Sequence, residues 1–126
     1  MGTAPVIDTY PLDDAVVVIP QGELDIASAP TLRDELAAVI TADPKPRVVC
    51  CDLTDVTFMD STALSALVFA HETAAIGGQH FCLAGARASV HRVLELTQLD
   101  QVIECHDSMD AAREAILGPA GTQADA

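Results

Sequence analysis

The sequence has no tryptophan, and aromatic residues make up 3% of its 126 positions. Single-strand nucleic-acid binders stack bases on aromatic side chains, so that class is disfavoured. Positive charge is scarce as well: 6 Lys and Arg stand against 19 Asp and Glu, a net charge of −13. Neutralising nucleic-acid phosphates or docking on an anionic membrane needs clustered Lys and Arg. Neither partner is expected, whereas a protein with a basic face would be steered toward this chain. No apolar run reaches the roughly 18 residues of a membrane span. Met1 to Val6 lacks a basic stretch followed by an apolar core, and Val6 stands where myristoylation after Gly2 would need Ser or Thr. A cytoplasmic protein without direct membrane contact is the expectation.

Metal and redox motifs are missing too. Cys50 and Cys51 are adjacent, Cys82 and Cys105 stand alone in apolar runs, and no CxxC spacing occurs. These read as small buried hydrophobes in a reducing compartment, with no metal and no cofactor. His71-Glu72 opens like a metalloprotease helix, but Ala75 replaces the second histidine. Ser61 lies in no GxSxG elbow, and Gly77-Gly78 is too short to cradle a phosphate. The chain does not read as an enzyme.

What is present is apolar: half of the residues, enough for one packed domain. Val6–Tyr10 and Ala15–Ile19 flank turn chemistry at Pro11-Leu12-Asp13-Asp14 and predict a hairpin with its first strand at an edge. Leu32, Leu36, Val39 and Ile40 recur at helical spacing after a possible cap at Ser28. Arg47–Leu53 (RVVCCDL) is an unbroken run, as expected of a strand buried on both faces. Thr54–Asp60 reads as a connector. Ser61–Ile76 predicts a helix with Leu64, Leu67, Val68, His71 and Ala75 on one face. His80–Leu83 reads as a strand and Ala88–Thr97 as a helix. Val102–Cys105 reads as a last strand, and Asp107 or Ser108 opens a final helix to about Leu117. The fold class is α/β: a mainly parallel sheet of about five strands, the first at an antiparallel edge, with about four helices. One domain over residues 1–117 and a disordered tail over 118–126 complete the organisation.

Chemistry concentrates in Asp52-Leu53-Thr54-Asp55-Val56-Thr57-Phe58-Met59-Asp60-Ser61-Thr62-Ala63-Leu64, where a strand gives way to a helix. The residues by themselves require no more than a cap, with Asp60 accepting backbone N–H bonds from the first turn.

This segment, with Gly22-Glu23-Leu24-Asp25, Ala27-Ser28-Ala29-Pro30 and Val90–Leu99, resembles the STAS domain, and more closely the bacterial anti-sigma factor antagonists. The resemblance runs from about Val6 to Leu117. It implies partner switching in transcription regulation and stress response. The unphosphorylated antagonist would bind an anti-sigma factor that is also a GHKL-type serine kinase, freeing a sigma factor. Phosphorylation at Ser61, in preference to Thr62, would end binding, and a PP2C-type phosphatase would reverse it. Asp25, Asp60, Ser61, Thr62 and Ala63 would form the partner surface, on a monomer. A STAS subunit of a lipid-transport ABC complex, never phosphorylated, is the alternative. The sequence departs from the family pattern at three points. Ala63 replaces Gly beside the acceptor, where a kinase would approach. Ala88 replaces Pro before the third helix, and Gln98 replaces Gly in a Thr-Gly-Leu corner.

Overall fold

The buried runs and turns of the sequence assemble around one mixed sheet. A computed structural model describes residues 6–122. β1 (Ile7–Leu12) and β2 (Ala15–Pro20) form the antiparallel hairpin, in register from Ile7 opposite Pro20 to Leu12 opposite Ala15. The two residues between them include Asp13 at φ 56°. The next aspartate, Asp14, receives two bonds from Arg47, at 2.7 and 3.1 Å, and the guanidinium holds its carboxyl below the usual range. Arg47 also donates to the Ile116 carbonyl at 3.1 Å, so one side chain ties the hairpin turn to the last helix.

β2 pairs in parallel with β4 (Val48–Asp52), β4 with β6 (His80–Ala84), and β6 with β7 (Glu104–His106). Among the described residues the sheet is five-stranded, ordered β1-β2-β4-β6-β7. Every residue of β4 is buried. Its alternate side chains explain how: Val49 and Cys51 join one core, Val48 and Cys50 the other. The first core is closed by α1 (Ala29–Ile40), α2 (Ser61–Ile76) and α3 (Ala88–Leu96), and the second by Ala112 and Ile116 of α4 (Met109–Thr122). The α/β expectation, the edge hairpin and the four helices therefore hold.

Three local expectations change. The Thr54–Asp60 connector contains a strand, β5 (Val56–Met59), which pairs in parallel with β3 (Gly22–Leu24) as a separate two-stranded sheet. The buried face of α2 is Ala63, Leu64, Ala66, Leu67, Ala70 and Ala74, while Ala75 is exposed and Val68 and His71 are half-buried. α2 is apolar almost all round, so spacing alone does not single out a face. Its alanines let the helix lie close against α1 and the sheet. Finally, a 3-10 turn at Leu99–Gln101 sends Ile103 into the core and delays β7 to Glu104.

Cys50, Cys51 and Cys82 are buried and all four cysteines are free, as the sequence suggested. Burial pushes the Cys105 thiol up to about 11. The last helix kinks at Gly118 (φ 67°, ψ 171°) and runs on to Thr122; of the tail expected over 118–126, residues 123–126 lie outside the described residues.

Candidate functional site

The small sheet sets the site. Leu24 pairs with Met59, so the chain leaves β3 at Asp25 and β5 at Asp60 side by side. The Asp60 N–H donates to the Leu24 carbonyl at 3.1 Å, extending the pairing by one rung.

Each aspartate then organises the backbone that follows it. Asp60 is extended (φ −110°, ψ −173°) and caps α2: its Oδ1 accepts from the N–H of Thr62 at 2.9 Å and of Ala63 at 3.2 Å. The Thr62 hydroxyl donates to the same oxygen at 2.5 Å. These bonds, the hydroxyl foremost, hold the Asp60 carboxyl below its usual range, with the Ile26 backbone dipole adding a smaller pull. Asp60 thereby holds the start of α2 and remains a fixed negative charge at neutral pH.

Asp25, not Ser28, begins the turn into α1. Its Oδ1 accepts from the N–H of Ala27 at 3.0 Å and of Ser28 at 3.2 Å. The Ser28 Oγ accepts from the Asp25 N–H at 2.8 Å and donates to the Glu23 carbonyl at 2.9 Å. Asp25 and Ser28 thus bond each other's N–H reciprocally across the turn that precedes α1, whose N-cap position is Ser28. The sequence reading put the cap at Ser28, yet Ser28 makes no side-chain cap bond to α1. Its hydroxyl is turned back into the preceding loop.

Ser61 occupies the first position of α2 and is exposed. Among the described residues its hydroxyl has no hydrogen-bond partner; its carbonyl accepts from Ser65 Oγ at 3.1 Å. Thr62, by contrast, is half-buried with its hydroxyl committed to Asp60. Ala63 is fully buried in the core. Its methyl lies beneath the helix start and cannot touch a docking protein, which corrects the expectation that Ala63 belongs to the partner surface and obstructs a kinase. Asp52 makes a local turn with Thr54 through bonds of 2.6 and 3.0 Å, and Asp55 is solvated. Two exposed apolar residues escaped the sequence reading: Ile26, 75% exposed beside Asp25, and Phe58, 49% exposed on β5. For Ile26 the only signal was an isoleucine between Asp25 and Ala27 in a turn; Phe58 gave none, because its strand was not expected.

Three of the four histidines are engaged elsewhere. His80 and His106 both meet Glu104, at 3.1 and 2.6 Å, and His91 meets Glu95 at 3.5 Å. Among the described residues no cluster of His, Cys, Asp or Glu could hold a metal, and no helix is long and apolar enough to cross a membrane.

Two loops anchored by Asp25 and Asp60 thus leave the small sheet side by side, and Ser61 stands exposed at the start of α2. The model of the STAS domain matches residues 6–112, and the chain belongs to that family. A Thermotoga maritima protein provisionally named an anti-sigma factor antagonist is 28% identical over 105 residues, 83% of this chain and 92% of that protein. The crystal structure of an anti-sigma factor antagonist from Mycobacterium paratuberculosis superposes with a TM-score of 0.81 at 25% identity, covering 91% of this chain and 96% of the other. The fold is shared with SpoIIAA in its unphosphorylated form (TM-score 0.73, 15% identity, 88% and 96% covered). It is shared equally with the STAS domain of a SulP transporter from Vibrio cholerae (TM-score 0.71, 20% identity, 93% and 88% covered).

Proposed function

We propose that this protein is an anti-sigma factor antagonist whose binding is switched at the Ser61 hydroxyl. Its unphosphorylated form binds an anti-sigma factor that is also a serine kinase and so releases a sigma factor. The observation that carries the reading is the contrast between neighbours. Ser61 is exposed with a free hydroxyl, while Thr62 is half-buried and bonded to Asp60. A kinase can reach the first without dismantling the cap and cannot reach the second. Asp25 and Asp60 supply the surrounding partner surface.

A phosphate on Ser61 adds roughly −1.5 to −2 charges at neutral pH. A helix start tolerates an anion, so the domain stays folded. The nearest capping N–H groups, however, already serve Asp60, whose charge is fixed. The new anion therefore stands beside an existing one, and a partner surface matched to a small neutral hydroxyl meets bulk and excess charge. Each ~1.4 kcal/mol of that mismatch weakens the complex tenfold.

The test is incubation with ATP and a candidate GHKL-type kinase, followed by intact mass and site mapping. One added phosphate on Ser61 is expected, with a complex in ADP that Ser61→Asp abolishes and a PP2C-type phosphatase restores after phosphorylation. Ser61→Asp binding the kinase as well as the parent would overturn the switch. Co-purification with a transport ATPase and no kinase would favour the ABC-subunit reading.

A further inference from the structure

A groove of about 400 Å³ lies between α2 and the corner that follows α3, and Ser61 lines it. Leu64, Val68 and Phe69 of α2 and Leu99 of the corner make its apolar lining. Phe69 is backed from α1 by Arg33, whose guanidinium carbon is 4.1 Å from the centre of the ring. Glu72 stands about three turns beyond Ser61 on α2, roughly 16 Å along the helix axis. Among the described residues that line the groove Glu72 alone is charged; it is exposed and has no described cation within ion-pair distance.

We propose that this groove docks a segment of the kinase that modifies Ser61, one that presents an apolar side chain next to Lys or Arg. The partner's identity rests on the reading of Ser61 as the phosphate acceptor. Position names the occupant: Ser61 is itself part of the groove wall, so a protein whose active site reaches that hydroxyl sits over the groove. A specific interface covers about 800 Å² on each partner, a disc reaching roughly 16 Å from its centre. Centred on Ser61, such a disc extends to Glu72. The apolar side chain enters against Val68, Phe69 and Leu99, and the cation pairs with Glu72. The lining carries an acidic group and no basic one, so the local charge and the net charge of −13 select the same kind of segment. The two ends have separate duties. A phosphate on Ser61 lies about two screening lengths from Glu72 at physiological salt. The hydroxyl end therefore reads the phosphate, while the Glu72 end recognises the partner in either state.

The test has two arms, both on the full chain. In amide-shift titrations N-acetyl-Ala-Leu-Lys-Ala-amide is expected to shift Val68, Phe69, Glu72 and Leu99 and to bind at least threefold more tightly than its Leu-Glu counterpart. Glu72→Lys is expected to erase that preference. Glu114→Lys makes the same change of net charge at an exposed position of α4, over the opposite face of the sheet, and is expected to keep it. With a GHKL-type kinase, Glu72→Lys is expected to weaken the complex in ADP at least tenfold and Glu114→Lys less than twofold. Absence of peptide binding, shifts centred elsewhere, or equal responses of the two variants in either arm would each sink the groove as a docking site. Ser61→Asp is expected to abolish the kinase complex and to leave the peptide preference unchanged. A preference kept while Ser61→Asp still binds the kinase would count against the switch alone. A preference lost while Ser61→Asp still blocks the complex would count against the groove alone.

Discussion

The Thr62 hydroxyl is 2.5 Å from the carboxylate of Asp60, and that bond is what distinguishes Thr62 from the free hydroxyl of Ser61 one residue earlier. Asp60 also joins the two loops: its carboxylate takes the N–H of Thr62 and Ala63, and its own N–H donates to the Leu24 carbonyl.

Removing that carboxylate should loosen the start of α2. Asp60→Ala is expected to lower the urea midpoint and to raise amide exchange at Thr62 and Ala63. Asp60→Asn keeps an acceptor and should fall between. The sign with pH follows from the direction of the shift. A carboxyl held low in the fold stabilises above its unfolded value of about 3.9, and that contribution is lost as pH falls through the lower folded value. The gap between parent and Asp60→Asn in urea unfolding should therefore be full at pH 6 and shrink progressively as pH falls below the unfolded value of about 3.9. A gap that persists unchanged in acid would show the charge to be irrelevant.

Ser28 is a different kind of support, because it is only 7% exposed. Ser28→Ala leaves the Asp25 N–H and the Glu23 carbonyl without the partner they share. Part-buried polar groups abandoned in this way cost about 1–3 kcal/mol, and chemical denaturation should show a loss in that range. Ser28→Ala unfolding at the parent's midpoint would mean that water replaces the hydroxyl without penalty.

Two departures from the family pattern fall at positions with plain backbone demands. Gln98 sits in the left-handed region, φ 62°, at the corner after α3. Glycine adopts that conformation without strain, so Gln98→Gly is expected to stabilise by about 0.5–1 kcal/mol despite the greater freedom it gives the unfolded chain. Ala88 is the first residue of α3, and Arg87 before it is extended at φ −65°, ψ 162°. That is the backbone proline requires of its predecessor, so Ala88→Pro should add about 0.4–1 kcal/mol. Thermal melts of the single and double variants should show near-additive gains.

Much of this was legible locally. β4 declared itself by an unbroken run, α1 by Leu32, Leu36 and Ile40, and the hairpin by its turn chemistry at Pro11-Leu12-Asp13-Asp14, although Pro11 and Leu12 prolong β1 and only Asp13 and Asp14 turn. The Asp60 cap was legible too, because capping is a relation between residues two and three apart. What escaped depends on distant partners. Val56–Met59 is four residues long and is a strand only because Gly22–Leu24 lies beside it. The stacking of Arg33 on Phe69 joins two helices and has no sequence period at all. The inward turn of Ala63 was misread for a related reason: its neighbours are small or apolar on every side, so the pattern did not distinguish the core face from the kinase face.

That misreading yields the sharpest comparison between stability and function. If the Ala63 methyl stood on the docking surface, Ala63→Gly would open room for a partner and improve phosphorylation. In the fold it is completely buried, at the third position of α2, where its N–H already bonds to Asp60. Ala63→Gly therefore removes a packed methyl and adds backbone freedom within a helix, at a cost of about 1–2 kcal/mol. The surface around Ser61 keeps its shape, since no atom of Ala63 reaches it. The expected result is a lower denaturation midpoint with an unchanged rate of Ser61 phosphorylation under conditions where both forms are fully folded. A several-fold faster rate with unchanged stability would return Ala63 to the partner surface.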